Sequence, residues 1–202
     1  SYKPTTQGHY SQIAKAAKMI SEAKKTLIYA GGGVILGEAW EELPAMAERH
    51  NIPITTTLMG LGGFPETKPQ SLGMLGMHGS RAANRAVEEC DLPVGIGARL
   101  DDRATGRLES FAPNARVIHI DADTAEINKL RQAELSLRGE LGRILDGLSS
   151  ALSARPLMID EWRHQCRQWH TTGGFSAADN DEPLSSITGP AFVRQLSRIT
   201  SD

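Results

Sequence analysis

Short apolar runs alternate with helix-length amphipathic stretches along most of this 202-residue chain, and that alternation limits the fold more than any other feature. Leu27-Ile28-Tyr29-Ala30, Ile52-Pro53-Ile54-Thr55-Thr56, Val94-Gly95-Ile96-Gly97-Ala98 and Val117-Ile118-His119-Ile120 read as buried strands. Ile13, Ala17 and Ile20 share one face of a first helix that ends near Lys24 and Lys25. A second helical stretch runs from about Glu38 to His50, with Trp40, Leu43 and Ala47 on one side; Pro44 inside it predicts a kink or a late start. Further helices are expected over Arg81 to Cys90, from near Thr124, and from about Gly139 to Leu152. Apolar strands separated by helices predict an α/β fold: a Rossmann-like, doubly wound parallel sheet of about six strands with helices on both faces.

After Ala154 the pattern changes. Trp162 and Trp169 sit in a charged helix, residues 171–186 are rich in Gly, Ser, Asp and Asn, and a last helical fragment carries Phe192, Val193, Leu196 and Ile199. The expected organisation is a main domain over 1–154, a helix and linker over 155–188, and the opening helix of a further domain over 189–202. The start at Ser1, without Met, suits a processed or excised piece. A net charge of -2 argues against a strongly cationic nucleic-acid binder, and neither a membrane-spanning apolar run nor a signal-peptide pattern is present. Cys90 and Cys166 form no CxxC pair, which fits a reducing compartment. Cys166 and His170 share a helix face that His164 does not, so no metal site is expected.

Four segments carry candidate chemistry, and each follows a strand. Gly31-Gly32-Gly33 is either a tight turn or a place where bare amides approach phosphate oxygens. Its spacing is not the GxGxxG of dinucleotide folds. Gly73-Met74-Leu75-Gly76-Met77-His78-Gly79-Ser80 is an open loop in which Ser80 can cap the next helix, while Met77 and His78 can lie against a flat ring or belong to the core. In Gly97-Ala98-Arg99-Leu100-Asp101-Asp102-Arg103-Ala104-Thr105-Gly106 the two guanidinium groups suit phosphate or ring carbonyls, with a surface ion-pair cluster as the plainer reading. In His119-Ile120-Asp121-Ala122-Asp123, Asp121 suits ribose hydroxyls and Asp123 suits a helix cap.

Taken in order, Ser1 to His9, the glycine run, Thr57-Leu58-Met59-Gly60-Leu61-Gly62, the Gly73–Ser80 loop, Ala98 to Gly106, Phe111-Ala112-Pro113-Asn114-Ala115 and His119-Ile120-Asp121 resemble the catalytic subunit of acetolactate synthase, also called acetohydroxyacid synthase. The resemblance covers about residues 1–150 strongly and the remainder loosely. It implies a parent of three domains, of which this is the middle one. The parent condenses pyruvate with pyruvate or 2-ketobutyrate, with decarboxylation, in branched-chain amino-acid synthesis. Thiamine diphosphate and Mg²⁺ belong to its other two domains, while the middle domain binds FAD without net redox change.

By motif match, the resemblance places Gly31, Gly32, Gly33, Thr57, Leu58, Met59, Leu75, Gly76, Met77, His78, Gly97, Arg99 and Arg103 against FAD. Asp121 and Ala122 fall at the adenosine end, and Glu140 stands where the family usually has Asp. Met77, His78, Asp102 and Arg103 also match residues near the active-site entrance. The thiamine-activating glutamate and the Mg²⁺-holding segment lie in the other domains, so no catalytic residue is named here and the piece alone is expected to be inactive. A ligand-free scaffold and interaction domain is the alternative. The implied partners are the flanking domains, a regulatory small subunit and a second copy of the parent, in bacterial cytosol or plastid, with no nucleic acid and no membrane. Departures from the family are Pro93 in a strand, Leu100 for Phe, Ala104 for Val, Ala122 for Ile, and Thr26 and Thr124 where Pro is common.

Overall fold

The computed structural model describes residues 8–100, 112, 115–154, 157–173 and 189–200. The first half runs α1 (Tyr10–Glu22), β1 (Thr26–Ala30), α2 (Gly33–Leu36), α3 (Glu42–His50), β2 (Ile54–Thr56), a 3-10 turn (Leu58–Gly60), β3 (Ser71–Met74), α4 (Arg81–Glu89) and β4 (Leu92–Ile96). β5 (Ile118–Asp121), β6 (Leu135–Arg138), α5 (Leu141–Ser153), α6 (Asp160–Gly173) and α7 (Gly189–Thr200) follow.

The six strands pair in the order β3-β2-β1-β4-β5-β6, all parallel. This is the doubly wound α/β fold expected from the alternation. Ile28, Ile54, Val94, Ile118 and Leu135 stand side by side across five strands, and all are buried. Helices α1, α3 and α5 pack together in one layer, and α4 packs with α6 in another. The β3–β4 connection carries the chain from one edge of the sheet back to its middle, so chain order reverses between β1 and β4.

Two edge strands escaped the apolar-run criterion. β3 contains Ser71 and Gly73, and β6 alternates buried Leu with more exposed Ser136 and Arg138, as a half-covered strand does. The helix expected near Thr124 does not form. Asp123 Oδ1 accepts from the Ala125 amide at 2.8 Å, but Asn128 has φ 60° and its Oδ1 takes the Ala133 amide at 2.8 Å, so the first turn does not propagate. α3 starts late, at Glu42, which puts Pro44 in the first turn where no helical hydrogen bond is lost.

Pro93 lies in a central strand and is still accommodated. Main-chain groups of alternate residues face opposite neighbours: the Ile96 carbonyl faces β1, and the Gly97 amide faces β5. Pro93 therefore has its missing donor on the β5 side, one residue before that ladder begins at Val94 and Ile118.

Helix α6 joins the same core. Trp162, Cys166 and Trp169 are buried, the two indoles meet edge to face with centroids 5.7 Å apart, and Trp162 Nε1 donates to the Thr26 carbonyl at 2.9 Å. Arg163 donates to the His50 and Asn51 carbonyls at 2.9 and 2.8 Å, closing the carboxyl end of α3. At the same edge Asp91 accepts the Lys24 and Lys25 amides, each at 2.9 Å, and so ties the starts of β1 and β4 together. Phe192, Val193, Leu196 and Ile199 of α7 are exposed. Among the described residues no helix is long and apolar enough to cross a membrane.

Replacing Trp162 with Ala is expected to cost about 3–5 kcal/mol, because it removes a buried ring and orphans the Thr26 carbonyl. Urea unfolding followed by circular dichroism should show one transition at a lower midpoint. A second, separate transition would mean that α6 is not part of the sheet's cooperative unit.

Candidate functional site

Parallel pairing places all six strand carboxyl ends on one edge. Gly31, Gly32 and Gly33 follow β1; Thr57, Leu58 and Met59 follow β2; Leu75, Gly76, Met77 and His78 follow β3; Gly97 and Arg99 follow β4. Asp121 ends β5 with Ala122 beside it, and Glu140 follows β6. Arg103 lies outside the described residues, as do Asp101, Asp102 and residues 104–106.

One line of main-chain bonds stitches this edge. Leu75 N–H donates to Thr56 O, Thr57 N–H to Ala30 O, Gly31 N–H to Ile96 O and Gly97 N–H to Ile120 O, at 2.8–2.9 Å; Gly139 N–H reaches Asp121 O at 3.3 Å. The loops after β1 and β4 touch where the chain order reverses. A Cβ on Gly31 would lie 2.2 Å from the Gly97 carbonyl oxygen, and one on Gly97, whose φ is +56°, would lie 2.7 Å from the Gly33 Cα. Gly33 N–H donates to Gly97 O at 2.9 Å. Two of the three amides read as open to phosphate are thus used inside the protein. The Gly32 N–H has no backbone acceptor among the described residues. The run is glycine chiefly because two main chains meet there.

Helix termini add little to anion binding. Ser80 caps α4 by accepting the Ala83 amide at 2.9 Å. The Glu42 carboxylate lies against the first turn of α5, with Oε1 3.1 Å from where a Gly142 Cβ would be. Glu140 stands at the N-cap of α5 and pairs with Arg143 at 2.7 Å. Arg99 is exposed, as are Leu58, Met59, His78 and Met77, the last 90% accessible. The edge therefore combines apolar side chains with polar main chain.

At the end of β5 the polar groups are only half satisfied. Asp121 Oδ1 accepts the Asp123 amide at 2.8 Å, whereas Oδ2 is 4.0 Å from His119 Nε2. Burial pushes the Asp121 carboxyl above its ordinary range; the Asp123 amide and His119 offset this only in part. His119 is buried, and its Nε2 bonds to the Ala98 carbonyl at 2.8 Å. A carbonyl only accepts, so Nε2 carries the proton, and Nδ1 is left buried without a partner among the described residues. Desolvation holds His119 below its ordinary pKa against the opposing pull of Asp121, the Ala98 carbonyl and Glu126. The residues overlooked in the sequence are His119 as the tie between β5 and the β4 loop, Asn84 beside Gly76, and Thr56, whose buried hydroxyl has no partner among the described residues. A histidine between two isoleucines of a buried run was the available signal for the first.

With this geometry in place, comparison with known proteins assigns the lineage. The family described as "Thiamine pyrophosphate enzyme, central domain" matches residues 13–148. The chain belongs to that family. This central domain is 53% identical over 153 residues to a probable acetolactate synthase large subunit of Methanocaldococcus jannaschii, covering 76% of the chain and 26% of the relative. It is 42% identical over 188 residues to the acetolactate synthase isozyme 2 large subunit of Escherichia coli, covering 93% and 33%. An acetolactate synthase of Mycobacterium bovis is 49% identical over 168 residues, covering 81% and 27%. The chain thus spans about a quarter to a third of the length of these relatives.

The titrating groups of the domain give signed expectations. Burial lowers His119, and likewise His50, whose Nε2 bonds to the Ser149 carbonyl at 3.1 Å. The unfolded chain takes up protons at about pH 6.5, where these folded imidazoles do not. Their stability contribution is present above that pH and lost as the pH falls below it, so melting temperature should drop between pH 7 and 5 and drop less in His50→Gln. Asp121 has the opposite sign, since its raised pKa makes ionisation unfavourable to the fold at neutral pH. Asp121→Asn should therefore melt at an equal or higher temperature at pH 7; a fall of several degrees would contradict the assigned burial effect.

Proposed function

We propose that this chain is the FAD-binding central domain of an acetolactate synthase and does not itself catalyse. Its parent would join two 2-keto acids with decarboxylation, in branched-chain amino-acid synthesis, as a thiamine-diphosphate- and Mg²⁺-dependent transferase. The observation that carries the FAD reading is the Asp121 carboxylate. It is half buried at the carboxyl end of β5, one strand from the point where chain order reverses, and its Oδ2 has no hydrogen-bond partner among the described residues. A ribose hydroxyl donating to Oδ2 would complete its hydrogen bonding.

The surroundings fit the rest of the molecule. Gly32 N–H and Arg99 offer donors to a diphosphate, and exposed Met59, Leu58 and Met77 offer an apolar surface to a flat ring. Thr57, Leu75, Gly76, His78, Gly97, Ala122 and Glu140 complete the proposed lining, with Arg103 from outside the described residues. Bound FAD would supply no net redox step in this reading; the parent's carbanion chemistry belongs to thiamine diphosphate held by other domains. The domain's own groups would bind and orient. Gly31 to Gly33 and Gly97 shape the crevice, and His119 fixes the Ala98 carbonyl and hence the start of the Arg99 loop. Flanking domains, a regulatory small subunit, a second copy of the parent, and a bacterial cytosolic or plastid setting belong to the same proposal. So does the reading of 1–154 as the domain body, 155–188 as helix and linker, and 189–202 as the opening of the next domain.

One observation favours a ligand-free scaffold instead. The Gly31 and Gly33 amides are satisfied within the chain, so the glycine run is accounted for without a phosphate.

Titrating the purified chain with FAD separates the two readings. Flavin fluorescence should be quenched, and at a hundredfold excess over Kd the fold should gain about 2.7 kcal/mol, raising the melting temperature. Asp121→Asn should weaken FAD about tenfold without loss of stability. Unchanged fluorescence and melting temperature at millimolar FAD would leave the scaffold reading standing.

A further inference from the structure

Asn84 lies one turn inside α4, and its side chain is used by something other than its own helix. Its Oδ1 accepts the Gly76 N–H at 3.0 Å, and its Nδ2 donates to the Gly76 carbonyl at 3.1 Å. Both main-chain groups of one loop residue are thus held by a single carboxamide eight positions later. Helical side chains lean toward the amino end, which lets Asn84 reach back over the first turn. The helix does not need this group as a cap, because Ser80 already serves that purpose.

Gly76 has φ +109°, a conformation no strand or helix ladder would satisfy. The rest of the loop is fastened on either side of it. Leu75 N–H donates to Thr56 O at 2.9 Å, Gly79 N–H to Gly76 O at 2.9 Å and Ser80 N–H to Met74 O at 2.8 Å. Met77 and His78 stand exposed between these anchors. An exposed thioether on a loop this firmly tied is arranged before any ligand arrives, which reduces the ordering entropy that binding must overcome.

We propose that Asn84 is a positioning residue for the cofactor groove: by clamping Gly76 it presents Met77 and His78 in one conformation at the carboxyl edge of the sheet. The ligand half of this inference rests on the FAD reading above; the clamp itself does not.

The test uses the 202-residue chain with Asn84→Ala and Asn84→Asp, read by amide hydrogen exchange without ligand and by FAD titration. Asn84→Ala should speed exchange of the Gly76 amide by at least about tenfold while the β1 and β4 amides keep their protection, and should raise the FAD Kd about tenfold. Asn84→Asp keeps the acceptor for Gly76 N–H but sets a carboxylate oxygen against the Gly76 carbonyl that the lost N–H served at 3.1 Å, so it too should speed Gly76 exchange and raise the Kd about tenfold. It also serves if the Ala variant does not fold. Unchanged Gly76 exchange overturns the clamp. Faster exchange with unchanged FAD affinity overturns its role in positioning. A wild-type chain that binds no FAD overturns the proposed function and the ligand role with it, while the exchange result still decides the clamp.

Discussion

The close approach of two main chains between β1 and β4 is the constraint on which this molecule depends. Gly31 and Gly33 come so near Gly97 that any side chain carbon would overlap backbone, and a Gly33 to Gly97 hydrogen bond seals the contact. Backbone cannot move aside as a flexible side chain can, so all three positions are confined to glycine. The contact fixes where the two loops leave the sheet. Chain order reverses there, the position at which open parallel sheets characteristically take ligands at their strand carboxyl ends.

The two ends of the sheet are treated differently. At the amino end Asp91 takes two amides, Trp162 covers the Thr26 carbonyl, and Arg163 takes the last carbonyls of α3, while the Thr26 hydroxyl and Gln70 Oε1 stay buried without a partner among the described residues. At the carboxyl end Asp121 Oδ2, His119 Nδ1 and the Thr56 hydroxyl have no hydrogen-bond partner among the described residues. The cross-strand ties from Asp91, Trp162 and Arg163 gather at the amino end, and the candidate binding groups stand at the other. The buried thiols sit apart from this arrangement. Burial pushes both Cys90 and Cys166 up to about 12, so neither is a nucleophile near neutrality.

How much of this was legible depended on the physical scale of each signal. Apolar runs marked β1, β2, β4 and β5 because strands covered on both faces need such runs. They missed β3 and β6, which lie at the edges and tolerate Ser71, Gly73, Ser136 and Arg138. Asp123 was expected to cap a helix, but it closes only a local turn with the Ala125 amide; Asn128, five residues on, turns left-handed and takes the Ala133 amide, so no helix follows. The residues flagged for binding were found at strand ends because glycine and charge after a strand are visible locally. The roles of His119, Asn84 and the Gly31–Gly97 contact were not, since each joins segments 8 to 66 positions apart.

The two edge strands, each paired on one side only, have a consequence for solution behaviour. β3 is four residues long, its register against β2 shifts between Ile54 and Thr56, and Gly73 turns to φ +79° within it. β6, also four residues, ends in Arg138. Neither presents the long, flat, uncharged ribbon on which a foreign strand could add, so the sheet is poorly suited to seeding intermolecular β-growth from its own borders.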